Sequence, residues 1–144
     1  MTFSSGLGLA LLRVTVGAIC AMHGYLGWQL GSAGVADYTT RMGYPAALGP
    51  ALGWYLILAH GIGGLLLILG IFTRWAALAQ VPILASAFFL YHIRQGFFLT
   101  GIVVDAGQGI VIAGGYEYIL LILVATVTLV LAGGGAFAVD NRQR

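Results

Sequence analysis

The chain has 144 residues, of which 60% are hydrophobic and 7% charged. A soluble domain of this size leaves too much surface exposed to hide that much apolar side chain, so a lipid bilayer is the solvent the composition requires. The formal charge of +2 is small and scattered, without the clustered basic face of a nucleic-acid binder, and the single Cys20 excludes an intramolecular disulfide or a CxxC redox pair.

Four apolar runs follow in chain order: Leu7 to Leu30, Ala51 to Phe72, Trp75 to Ile93 and Tyr118 to Ala132. Each is near the ~20 residues of a bilayer-crossing helix, and none alternates as a barrel strand does. The fold class expected is therefore all-α, an integral membrane four-helix bundle forming one domain over 1–144. The first run lacks a basic leader and exceeds a signal-peptide core, which predicts a retained span. Gly43-Tyr44-Pro45 and Gly49-Pro50 break the chain before the second run, so Leu30 to Pro50 reads as a loop. Phe72 to Trp75 reads as a tight turn, and Gly133-Gly134-Gly135 ends the fourth run. Pro82 is expected to kink the third helix or free a carbonyl. Glycines in the first two runs predict close helix contacts.

Arg94 to Glu117 forms the last outer connection. Its two β-branched runs, within 101–113, flank a Gly-rich turn, which predicts a short β-hairpin. Arg13, Arg74, Arg142 and Arg144 fall on one side of such a bundle, while Arg41 and Arg94 fall on the other, offset by Asp37, Asp105 and Glu117. That asymmetry predicts both termini in the cytoplasm. Tyr25, Trp28, Trp54, Tyr55, Tyr91, Tyr116 and Tyr118 lie near the outer span ends, as an interfacial aromatic belt does.

Polar groups inside spans are costly and are candidates for function. Arg13 is expected to form a structural ion pair with Asp140, and Gln80 an interhelical hydrogen bond. His23, His60 and His92 occupy the outer halves of three different spans, His23 roughly 10 Å and His60 roughly 13 Å below their outer ends. Glu117 stands above them. Such a cluster can exchange protons near neutral pH, hydrogen-bond a quinone head group, or ligate haem or a metal. Each histidine can equally serve only to bond a neighbouring helix. No two histidines lie one turn apart on one helix, so no local metal motif is expected.

Taken together, Leu11-Leu12-Arg13-Val14 with Gly17, Met22-His23-Gly24-Tyr25, Gly63 to Arg74 with Ala76 and Ala77, His92 through Phe98, Gly115 to Tyr118 and Gly133 to Asp140 resemble the DoxX family of small bacterial membrane proteins. The resemblance covers nearly the whole chain through the order and spacing of its motifs. It implies a four-helix membrane bundle in the inner membrane, associated with redox systems and in particular with quinone-linked oxidoreductases. Two departures stand out: His60 occupies the place of a usual glutamate, and a lysine usual near Gly27 is missing. Residues 102–114 look like an insertion.

The leading expectation is a membrane subunit of a redox system, possessing a quinone or other lipophilic ligand among its helices. His60, His23 and Glu117 would handle protons, with His23, His60, His92, Tyr25 and Trp54 around the ligand. Its partners would be the lipid bilayer and either redox proteins or further copies of itself. The alternatives are a non-catalytic anchor for an extracytoplasmic protein and, more weakly, a small oligomeric transporter.

Overall fold

In lipid, an apolar run must satisfy its backbone polar groups internally. The computed structural model, which describes residues 3–98, 101–105, 109–113 and 115–140, accordingly folds these runs into helices. Helix α1 spans Phe3–Arg41, α2 Gly49–Leu69, α3 Thr73–Leu90 and α4 Glu117–Ala132. Short 3-10 turns at Ala46–Leu48 and His92–Gln95 lead into α2 and out of α3. By length and composition, three helical stretches can cross a membrane: Phe3–Arg41, Ala46–Leu69 and Thr73–Gln95. Helix α4 is apolar but has only 16 residues, about 24 Å of rise.

The region 30–50 differs from the loop expected of it. Helix α1 breaks at Gly31, whose φ of 70° and ψ of 164° no other residue adopts easily, and then resumes to Arg41. Residues 32–41 form a strap packed against the start of α2, where Gly53 faces the Ser32 carbonyl and Gly49 faces Ala36. Val35 and Thr39, one turn apart, are buried. The Thr39 and Thr40 hydroxyls donate to Ala36 O at 2.9 Å, and Asp37 pairs with Arg41 at 2.9 Å. Just past the strap, Tyr44 Oη donates to Ser86 Oγ on α3 at 2.5 Å.

Helices α1 and α2 cross through their glycines. A Cβ on Gly17, Gly24 or Gly64 would run into the opposite backbone, which is how small residues let membrane helices approach. Val16, Cys20, Leu67, Ala76, Ala77, Ala125 and Leu129 form a core shared by all four helices. Large apolar side chains such as Leu11, Leu65, Trp75, Leu121 and Leu131 point outward and are exposed. With that exterior and those helices, this is a membrane protein.

Pro82 sits inside α3, where it cannot donate to the carbonyl one turn back. Neighbouring carbonyls take side-chain donors: Tyr55 Oη donates to Ala79 O at 2.7 Å, and Ser86 Oγ to Pro82 O at 2.6 Å. Strands β1 (Gly101–Asp105) and β2 (Gly109–Ala113) pair antiparallel, with Val103 opposite Val111. The turn expected at 106–108 lies outside the described residues, as do Arg142 and Arg144. After α4, residues 133–140 fold back beneath the bundle. Ala136 N donates to Gly6 O at 2.7 Å and Asp140 N to Gly70 O at 3.0 Å.

Candidate functional site

The polar centre of the bundle is built from three helices. Helix α2 supplies His60, 6% exposed, and α3 supplies Gln80, fully buried. Gly63, one turn beyond His60, leaves a notch on α2: a Cβ there would stand 2.6 Å from Gln80 Nε2. Through that notch the Gln80 amide donates to Ala59 O, and its oxygen meets His60 Nδ1. A buried amide and a buried imidazole thus satisfy each other, as low-dielectric surroundings demand.

Helix α1 brings His23 to the same place. The two imidazole centroids lie 6.2 Å apart, with ring planes at 74°. His23 is exposed at the helix surface, and its Nδ1 bonds Ile19 O on the preceding turn at 2.8 Å. One ring therefore faces the surroundings of the bundle and the other lies inside it, edge to face.

The other expected site residues lie elsewhere. His92 is in the 3-10 turn past the end of α3, its ring edge-on to Tyr91 at 5.1 Å. Glu117 opens α4, with its amide donating to Phe97 O at 3.1 Å. Tyr25 and Trp54 are exposed, and Tyr25 Oη accepts from Gln29 Nε2 at 2.9 Å. Among the described residues, no group of three His, Cys, Asp or Glu is placed to hold a metal ion. Gln80 completes the His60 site, although its sequence signal, a lone amide in an apolar span, did not say which residue it would meet.

Arg13, 3% exposed, lies at the opposite end of the bundle with its Nε and Nη1 buried and without hydrogen-bond partners among the described residues. The Asp140 carboxylate caps α3, accepting from Phe72 N at 2.7 Å and Thr73 N at 2.8 Å. Arg13 acts on it through space. Burial alone would raise the Asp140 pKa, but the Thr73 and Phe72 amides and the Arg13 charge outweigh burial and hold it below its ordinary value.

Between α2 and α3 an open apolar groove of about 670 Å³ runs from Tyr55 to Phe72 and Trp75. Ala59 and Gly63 form part of its wall, so the groove borders the residues that seat the Gln80 amide.

Comparison with known proteins places these features in a family. The DoxX family profile matches residues 8–93, a stretch holding His23, His60, Gln80 and His92. A Haemophilus influenzae protein described as uncharacterised is 31% identical over 138 residues, covering 93% of this chain and 89% of its own length. No solved structure matches the chain.

Proposed function

The chain belongs to the DoxX family, and from that premise we propose that it is a membrane subunit of a redox system, binding a quinone or other lipophilic ligand among its helices. The observation that carries this reading is the His23–His60 pair, one ring exposed and one buried, 6.2 Å apart. A ligand dissolved in the bilayer reaches His23 directly. His60, seated by Gln80, then stands behind it as a second proton-exchanging group. A partner protein supplies the electron carrier, since a lone buried cysteine offers no dithiol.

The proposal extends to topology. Helix α4 makes a fourth crossing, the turn 70–72 and both termini lie in the cytoplasm, and the membrane is the inner one. Haem ligation is the weaker assignment, because no two histidines stand one turn apart on one helix to form a local ligand motif. Purification in detergent followed by lipid extraction tests the reading. Quinone should co-purify, and His60→Ala should lower both its yield and quinone-linked turnover. Absence of quinone together with unchanged turnover refutes the proposal.

A second reading, a non-catalytic anchor or assembly partner, draws on the antiparallel pairing of strands β1 and β2. Deleting 102–114 should then release an extracytoplasmic partner while leaving the helices folded. Unchanged co-purification of that partner would exclude it.

A further inference from the structure

The hydrogen bonds around the two histidines fix more than their positions. A backbone carbonyl can only accept, so whatever bonds Ala59 O must donate. Gln80 Nε2 is that donor. This orients the amide, because the nitrogen must face Ala59 and the oxygen must therefore face His60. An amide oxygen also only accepts. His60 Nδ1, which meets it, therefore carries the proton.

The same reasoning applies to His23. Its Nδ1 bonds Ile19 O at 2.8 Å, so that nitrogen donates too. In a neutral imidazole, one nitrogen donates and the other accepts. Both rings then have Nδ1 committed as a donor, and each presents Nε2 as a lone pair.

We infer that the His23–His60 pair is a hydrogen-bond-accepting site, and that it takes the hydroxyl-bearing, reduced form of a lipophilic ring: a hydroquinone or phenol in preference to the corresponding quinone. A quinone carbonyl is itself an acceptor and meets two acceptors here. A ring hydroxyl donates to Nε2, with no covalent bond made or broken. This inference rests on the redox reading above and narrows it to the reduced partner. Gln80 is the positioning residue: it acts on the ligand only through the tautomer of His60.

The test uses the full chain in lipid nanodiscs under anaerobic conditions, with decylubiquinol, decylubiquinone and the di-O-methyl ether of decylubiquinol as probes. Decylubiquinol should bind about tenfold more tightly than either of the others, the scale of one hydrogen bond made against one refused. Equal or tighter binding of decylubiquinone overturns the inference and leaves the lipophilic-ligand reading standing. Failure of all three probes to bind overturns both. Nitrogen NMR of isotope-labelled histidine reads the tautomers without any ligand. Nδ1–H on both His23 and His60 is expected, and Nε2–H on either ring refutes the assignment. Gln80→Leu should lower the preference for decylubiquinol to the share that His23 holds, whereas a merely structural Gln80 would leave the ratio of the two affinities unchanged.

Discussion

Gly24 of α1 and Gly61 of α2 pass backbone to backbone, so that a Cβ on Gly24 would fall within contact distance of Gly61 N, Gly61 Cα and the His60 carbonyl carbon. The relationship is one-sided. A Cβ on Gly61 would have Gly24 Cα at 3.9 Å, an ordinary van der Waals approach. Because His23 and His60 are the adjoining residues, this crossing also sets the separation of their rings. Gly24→Ala should cost about 1–3 kcal/mol, since the obstacle is backbone that cannot rotate aside. Gly61→Ala should stay within about 0.5 kcal/mol. Thermal unfolding in detergent, followed by circular dichroism, compares the two. Equal losses would mean that the helices do not meet here.

Gly63 and Gln80 give a second asymmetric pair. Gly63→Ala fills the notch that Gln80 Nε2 enters and displaces the amide from both Ala59 O and His60 Nδ1. Gln80→Leu removes the amide while keeping an apolar side chain of similar length. Each change strands a buried imidazole N–H, a loss of about 1–3 kcal/mol. The double variant should lose little beyond either single one, because both act on one hydrogen-bond network. Additive losses in the same unfolding assay would show that Gly63 serves only helix packing.

The contrast between spans and strap shows what the amino-acid pattern can carry. Helices α2 and α3 were legible because continuous apolar runs in lipid have helix as their one economical solution. Residues 32–41 were not legible. They are mostly small or polar, follow a glycine, and are too few to form a stable helix alone. Their helicity depends on seating Val35 and Thr39 against the bundle, which is tertiary information. At the site, each polar residue in a span announced itself by its cost, but their meetings did not. His23 reaches His60 only because Gly24 lets α1 approach. His92 lies in a separate turn because α3 ends at Leu90.

The strap depends on Gly31. Its φ of 70° and ψ of 164° put it in a region that L side chains avoid, and open space around it means that strain alone decides a substitution. Gly31→Ala should cost about 1–3 kcal/mol. The loss should be local, appearing as faster amide hydrogen exchange in residues 32–41 with protection in α2 and α3 unchanged. Exchange unaltered in the strap would show that the break relocates without penalty.

Asp140 couples the far end of the chain to pH. Its folded pKa lies below the ordinary value of 3.8, so the folded state binds its proton less readily than the unfolded chain does. The stability it contributes is therefore fully present above that ordinary value. It is lost as pH falls towards the depressed folded value. Asp140→Ala removes both acceptors from the Phe72 and Thr73 amides and should cost about 1 kcal/mol near neutral pH, the typical worth of a helix N-cap. Asp140→Asn retains one oxygen but loses the attraction of Arg13, so it should fall between the two. The diagnostic is the pH profile. Between neutral pH and the acid limit, the gap in melting temperature between the parent protein and Asp140→Asn should narrow as the parent's carboxylate protonates. A gap that stays constant through that range would mean that the carboxylate's charge contributes nothing and that Arg13 is compensated by another group.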